Sequence, residues 1–222
     1  MSVAAEKVRR RRPVIPIMIG IMTAASVAAV LMSRPAGPSG EWARAPSAVQ
    51  AVMWPEPRPL AEFELTTGDG RPFSRESLLG QWNFLFFGYT GCPDVCPTSL
   101  YAMRELRQRL LDEESSVENY RFIFVSVDTE NDRPEDIGPY LDWYDPDFVG
   151  LTGQPEELAR LAQSMAVKYA VVQDEQGARS IDHTSSVLIV DPQARMVGAL
   201  PPPLRPSSMK AQFRALRGYL EE

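Results

Sequence analysis

Asn83-Phe84-Leu85-Phe86-Phe87, closed by Gly88, is an almost uninterrupted apolar run. A strand with no polar alternation has to be covered on both faces of its sheet, so this stretch demands helices on either side. The sequence supplies them. After Cys96-Pro97, the residues Leu100, Met103, Leu106, Leu110 and Leu111 recur at helical spacing, with Arg104, Arg107 and Arg109 on the other faces. Arg121 to Val127 repeats the buried-strand pattern, and Pro134 to Tyr144 reads as a helix with an acidic first turn. A short strand is expected from Phe148 to Leu151, then a helix opened by Gln154-Pro155-Glu156-Glu157 with Leu158, Leu161, Met165 and Ala166 on one face. Tyr169 to Gln173 reads as a strand. Asp182-His183 then precedes a strand from Ser186 to Val190, a turn at Asp191-Pro192-Gln193-Ala194, a strand from Met196 to Leu200 and a final helix near Ser207 to Leu220. Upstream, Phe63-Glu64-Leu65 with the turn Thr67-Gly68-Asp69-Gly70 predicts a hairpin, and Ser74 caps a short helix ending near Gly80. Alternating β and α units followed by a hairpin and a helix predict an α/β sandwich over residues 61–222.

The first 60 residues read differently. Residues 1–12 hold Lys7, Arg9, Arg10, Arg11 and Arg12 against Glu6, leaving −10 for the remainder of a chain whose net charge is −6. Residues 13–32 carry no ionisable side chain and would span roughly 30 Å as a helix, enough for a single transmembrane anchor. The best small-x-small cleavage site, Ala43-Arg44-Ala45, lies more than ten residues beyond that run, which favours an uncleaved anchor over a signal peptide. Positive charge stays inside, so the amino terminus is expected in the cytoplasm and the domain outside, in the periplasm of a bacterial-type inner membrane. Residues 33–60, rich in Pro, Ala, Gly and Ser, read as a semi-stiff linker. An acidic net charge gives no footprint for nucleic acid. Two cysteines and one histidine exclude a disulfide-dense scaffold and a multi-histidine metal site.

Those few residues stand where chemistry is favoured. Cys92 and Cys96 lie between the central strand and the long helix, four residues apart, so their sulfurs can reach each other or one metal ion. The helix amino terminus stabilises thiolate, which predicts thiolates near neutral pH, and Pro97 suits the first helical turn. A disulfide closing so short a loop would contribute little as a staple. His183 can reach the same crevice from a later strand-edge loop, because loops at one end of an α/β sheet converge. Two thiolates and an imidazole suit Cu(I), and Cu(II) with one more ligand, while zinc would want a fourth donor. Asp94, between the cysteines, caps or solvates the loop. The methionines form no cluster.

The segment FGYTGCPDVCPTSL resembles the metal-binding signature of the SCO/SenC family, copper proteins of thioredoxin-like fold that assist cytochrome c oxidase assembly. FIFVSVDTENDRPE (residues 122–135), VGLTG (149–153) and DHTS (182–185) are similar to further family segments, in family order. The resemblance implies that Cys92, Cys96 and His183 are copper ligands and that Asp128 and Asp132 lie near the site. Thr129, Asn131 and Arg133 stand where Pro, Arg and Thr are common in the acidic loop, Ala194 where a turn Gly is common, and Pro201-Pro202-Pro203 is unfamiliar.

What the resemblance implies is a membrane-anchored metallochaperone that delivers copper to the Cu(A) centre of oxidase subunit II or its apo-form. An upstream copper donor and a thioredoxin-like reductant would serve it. The alternative is a thiol-disulfide oxidoreductase using Cys92 and Cys96 as a redox pair to reduce cysteines of an oxidase subunit or another extracytoplasmic protein. That enzyme would not need His183. A thioredoxin-like peroxidase would need a dedicated polar pocket for one cysteine, and nothing beyond the two-cysteine loop suggests it.

Overall fold

A computed structural model describes residues 41–112, 119–173, 177 and 179–221. The basic segment and the anchor expected at 13–32 lie outside the described residues. Among the described residues no helix is long and apolar enough to cross a membrane.

Two short helices, α1 (Glu41–Arg44) and α2 (Ser47–Gln50), lead into β1 (Met53–Pro59). The hairpin β2 (Glu64–Thr67) and β3 (Pro72–Ser74) follows, then a 3₁₀ turn, Arg75–Leu78. Next come β4 (Trp82–Gly88), α3 (Val95–Leu111), β5 (Tyr120–Ser126), α4 (Pro134–Asp142), β6 (Val149–Thr152) and α5 (Pro155–Ser164). The chain ends with β7 (Tyr169–Gln173), β8 (Arg179–His183), β9 (Val187–Val190), β10 (Arg195–Leu200) and α6 (Pro206–Glu221). Eight strands form one mixed sheet in the order β1-β10-β9-β4-β5-β6-β2-β3, while β7 and β8 pair separately as a ribbon. The expected α/β sandwich is present, with β4 near its centre: β4 runs parallel to β5 on one side and antiparallel to β9 on the other.

The apolar runs explain the arrangement. Every residue of β4 is buried, and Phe84, Phe86, Phe87, Phe122 and Phe124 are among the largest fully buried side chains. Phe84 stacks on Phe122 at 4.7 Å and meets Phe213 of α6 edge-on at 4.9 Å. One sheet layer is thereby joined to the last helix. Buried aromatic side chains of this size dominate core energetics.

The linker expected over 33–60 needs correction from residue 41 onward. Ala45, Val49, Val52, Met53 and Leu60 are buried, and β1 pairs antiparallel with β10 at the sheet edge. Pro55, Pro57 and Pro59 concealed this strand, since proline reads as a breaker but is tolerated on an edge where the outward N–H is not needed. The 3₁₀ turn takes the place of the expected short helix and keeps Ser74 as its cap, with Gly80 at φ +80°. Ala194 adopts φ +56° in the turn between β9 and β10, a left-handed conformation that explains why glycine suits that position. The strand β8 was not expected.

Candidate metal centre

The site is assembled where β4 ends. Gly88 closes that strand, and a Cβ there would lie 2.8 Å from Cys96 Sγ and 2.9 Å from a ring carbon of Phe124, so only glycine lets the sulfur approach the sheet. Residues 89–94 then loop to α3. The Cys92 N–H donates to the Tyr89 carbonyl at 3.2 Å. Cys96, in the first turn of α3, donates its N–H to Cys92 Sγ at 3.4 Å, placing that sulfur at the positive end of the helix. Pro97 falls in the same turn, as expected. Both cysteines are free and buried.

His183 arrives from the ribbon as the last residue of β8, paired with Tyr169 of β7. Its ring packs edge-on against Phe86 at 5.7 Å and Tyr89 at 6.3 Å. Nδ1 lies 3.2 Å from the Thr184 carbonyl, which places the proton on Nδ1 and leaves the Nε2 lone pair facing Cys96 Sγ at 3.5 Å. One donor atom from each of Cys92, Cys96 and His183 fits within 4.8 Å of the others. Among the described residues no other trio of His, Cys, Asp or Glu is so placed. The three residues singled out from sequence therefore converge, whereas Asp94 is exposed and stands outside the trio.

Electrostatics correct one expectation. Burial pushes the Cys96 thiol well above its ordinary range, opposed by a hydrogen bond with the Tyr89 backbone and reinforced by Cys92 and by the negative charge of Asp132. Without metal Cys96 is thus a neutral thiol, because desolvation outweighs the helix terminus from which a thiolate was expected. Burial also lowers the His183 pKa, with the Thr184 carbonyl partly offsetting it. The imidazole is neutral near pH 7, so its lone pair is available. A soft ion supplied to two sulfurs and a neutral imidazole would displace a thiol proton and meet donors that match its preference.

Asp128 and Asp132 sit behind the site rather than in it. Asp132 accepts the Thr90 N–H at 2.8 Å and the hydroxyls of Thr90 and Ser126. Asp128 receives both guanidinium nitrogens of Arg179, at 2.7 and 2.9 Å. Sequence reading missed Arg179, whose partner is 51 residues away, and no local signal announces such a pair. An open groove of about 840 Å³ is lined by Ala159, Ala162, Lys168, Tyr169, Asp182 and His183.

Known proteins share this framework. A family model described as SCO1/SenC matches residues 55–218. A Stutzerimonas stutzeri protein named for copper binding is 34% identical over 154 residues, 69% of this chain and 74% of that protein. The human mitochondrial protein SCO1 homolog is 34% identical over 136 residues, 61% of this chain and 45% of its own length, so less than half of that relative is represented. Among solved structures, Bradyrhizobium japonicum ScoI with copper bound is 33% identical, with a TM-score of 0.62 over 72% of this chain and 99% of that one. Copper-bound Arabidopsis thaliana ScoI is 28% identical, with a TM-score of 0.66 over 72% and 98%. These likenesses bear out the thioredoxin-like α/β fold that the signature segments implied.

Proposed function

The chain belongs to the SCO1/SenC family, and from that premise we propose that Cys92, Cys96 and His183 together hold one copper ion, which the domain carries to the Cu(A) centre of cytochrome c oxidase subunit II during assembly. One observation carries this reading. Three donors, from the loop after β4, the first turn of α3 and the end of β8, converge within 4.8 Å, and the set of two sulfurs and one nitrogen suits copper. The two thiolates suffice for Cu(I), and the imidazole adds the nitrogen that Cu(II) prefers. The copper-bound relatives of the same fold support the choice of metal.

In this reading residues 13–32 anchor the protein in a bacterial-type inner membrane and the +4 amino terminus stays inside, which leaves the copper domain in the periplasm. Its partners are subunit II in its apo-form, an upstream copper donor and a thioredoxin-like reductant. The reductant is needed because oxidation of Cys92 and Cys96 to a disulfide releases two protons and two electrons and removes both thiolate ligands.

A second reading rests on the same pair of free, adjacent cysteines: thiol-disulfide exchange with an oxidase subunit or another extracytoplasmic protein. The residue that separates the two is His183. A copper titration and a disulfide-exchange assay on reduced full-length protein and on His183→Ala decide between them. Carriage of copper predicts one equivalent bound and a sharp loss of Cu(II) affinity in the variant. Catalytic disulfide reduction that His183→Ala leaves unimpaired, together with no copper uptake by the wild type, would establish the exchange reading.

A further inference from the structure

The ribbon that presents His183 shares no strand pairing with the main sheet. A third ligand on such an appendage needs something to fix it against the first two. A continuous line of hydrogen bonds runs from the ribbon to the cysteine loop. Arg179, four residues before His183 on β8, donates through both terminal nitrogens to Asp128, a carboxylate 4% exposed. The Asp128 N–H donates to Ser126 Oγ at 3.1 Å, and the Ser126 hydroxyl in turn donates to Asp132. Asp132 holds the backbone N–H of Thr90, two residues before Cys92. Asn131 also donates to Asp128, at 2.9 and 3.0 Å, while the contact of Arg179 with Glu130 is longer and exposed, at 3.4 Å. A two-point bond to a planar guanidinium fixes orientation as well as distance, and one partner here is shielded from water.

We propose that Arg179 is a positioning residue for His183: clamped on Asp128, it holds β8 in the register that keeps the imidazole beside Cys96. The proposal rests on the copper reading above. It assigns Arg179 no contact with the metal. Supporting bonds behind a ligand commonly tune affinity by about ten- to a hundredfold.

The test uses reduced full-length protein in detergent, comparing wild type, Arg179→Gln, Arg179→Lys, His183→Ala and the double variant Arg179→Gln/His183→Ala. Arg179→Gln is expected to weaken Cu(II) binding about tenfold and shift the thiolate-to-copper absorption, leaving Cu(I) affinity within about twofold. Arg179→Lys, which keeps the charge and loses the fork, should recover part of the loss. In the His183→Ala background the Gln substitution should change copper binding no further. Hydrogen exchange on the metal-free protein supplies an independent readout, with amides of residues 179–183 exchanging faster in Arg179→Gln while those of α3 do not. Equal losses with and without His183 would reveal a general weakening of the fold and overturn the proposal. Unchanged Cu(II) binding and unchanged exchange would overturn it too while leaving the copper reading intact. Wild-type protein that binds no copper would overturn both.

Discussion

All seven residues of β4, which leads into the cysteine loop, are buried, whereas four of the five residues of β7, which pairs with the histidine strand, are exposed. The two thiols are therefore built into the core, and the imidazole is brought to them by a ribbon resting on its surface. Mutation of the ribbon can displace His183 while Cys92 and Cys96 stay in place. On the copper reading proposed above, this division places the weaker point of the site on the ribbon.

The largest effect should come from the core side. Cys96→Ala should abolish measurable copper binding, whereas His183→Ala should cost at least about a hundredfold for Cu(II) and far less for Cu(I), as competition titrations with chelators would show. Comparable losses in the two variants for both oxidation states would erase the distinction between the regions. Next, Gly88→Ala forces a methyl group against Cys96 Sγ and Phe124 and should destabilise the domain by about 1–3 kcal/mol in urea unfolding.

Acid should act on the ribbon first. Asp128 is held below its ordinary value of 3.8: burial alone would raise it, but the hydrogen bonds from Arg179 and Asn131 and the Arg179 charge more than offset that. A depressed folded-state value means a stabilisation that is complete above about pH 4 and is lost as pH falls through the lower folded value. The protection factors of amides 179–183, measured against intrinsic exchange at each pH, should thus fall on acidification before those of β4 do, and Arg179→Gln should blunt that dependence. The smallest effect belongs to the outer face of the ribbon. Val171, 57% exposed, should tolerate Ser within about 0.5 kcal/mol by urea unfolding.

The same contrast governs what could be read from sequence. β4, β5 and α3 carry their burial in their own apolar patterns, and all three were legible. β8 was not, since Arg179-Ser180-Ile181-Asp182-His183 buries only Ile181 and owes its extended form to pairing with β7. β1 was hidden by its prolines, whose tolerance depends on an edge position that no local pattern encodes. Cys92, Cys96 and His183 could be named because they are scarce, being the only cysteines and the only histidine of the chain. The protonation state of Cys96 could not, because the field of a helix terminus is visible in sequence and the depth of burial is not. Arg179 and Asp128 meet only through the tertiary fold.

X-ray absorption of the copper-loaded, reduced full-length protein tests the three-ligand site most directly. Two sulfur scatterers and a nitrogen shell bearing the imidazole signature are expected around Cu(II), with the imidazole signature lost in His183→Ala and the two sulfurs retained. A wild-type spectrum without sulfur, or one that His183→Ala leaves unchanged, would contradict the assignment of Cys92, Cys96 and His183 as a single copper centre.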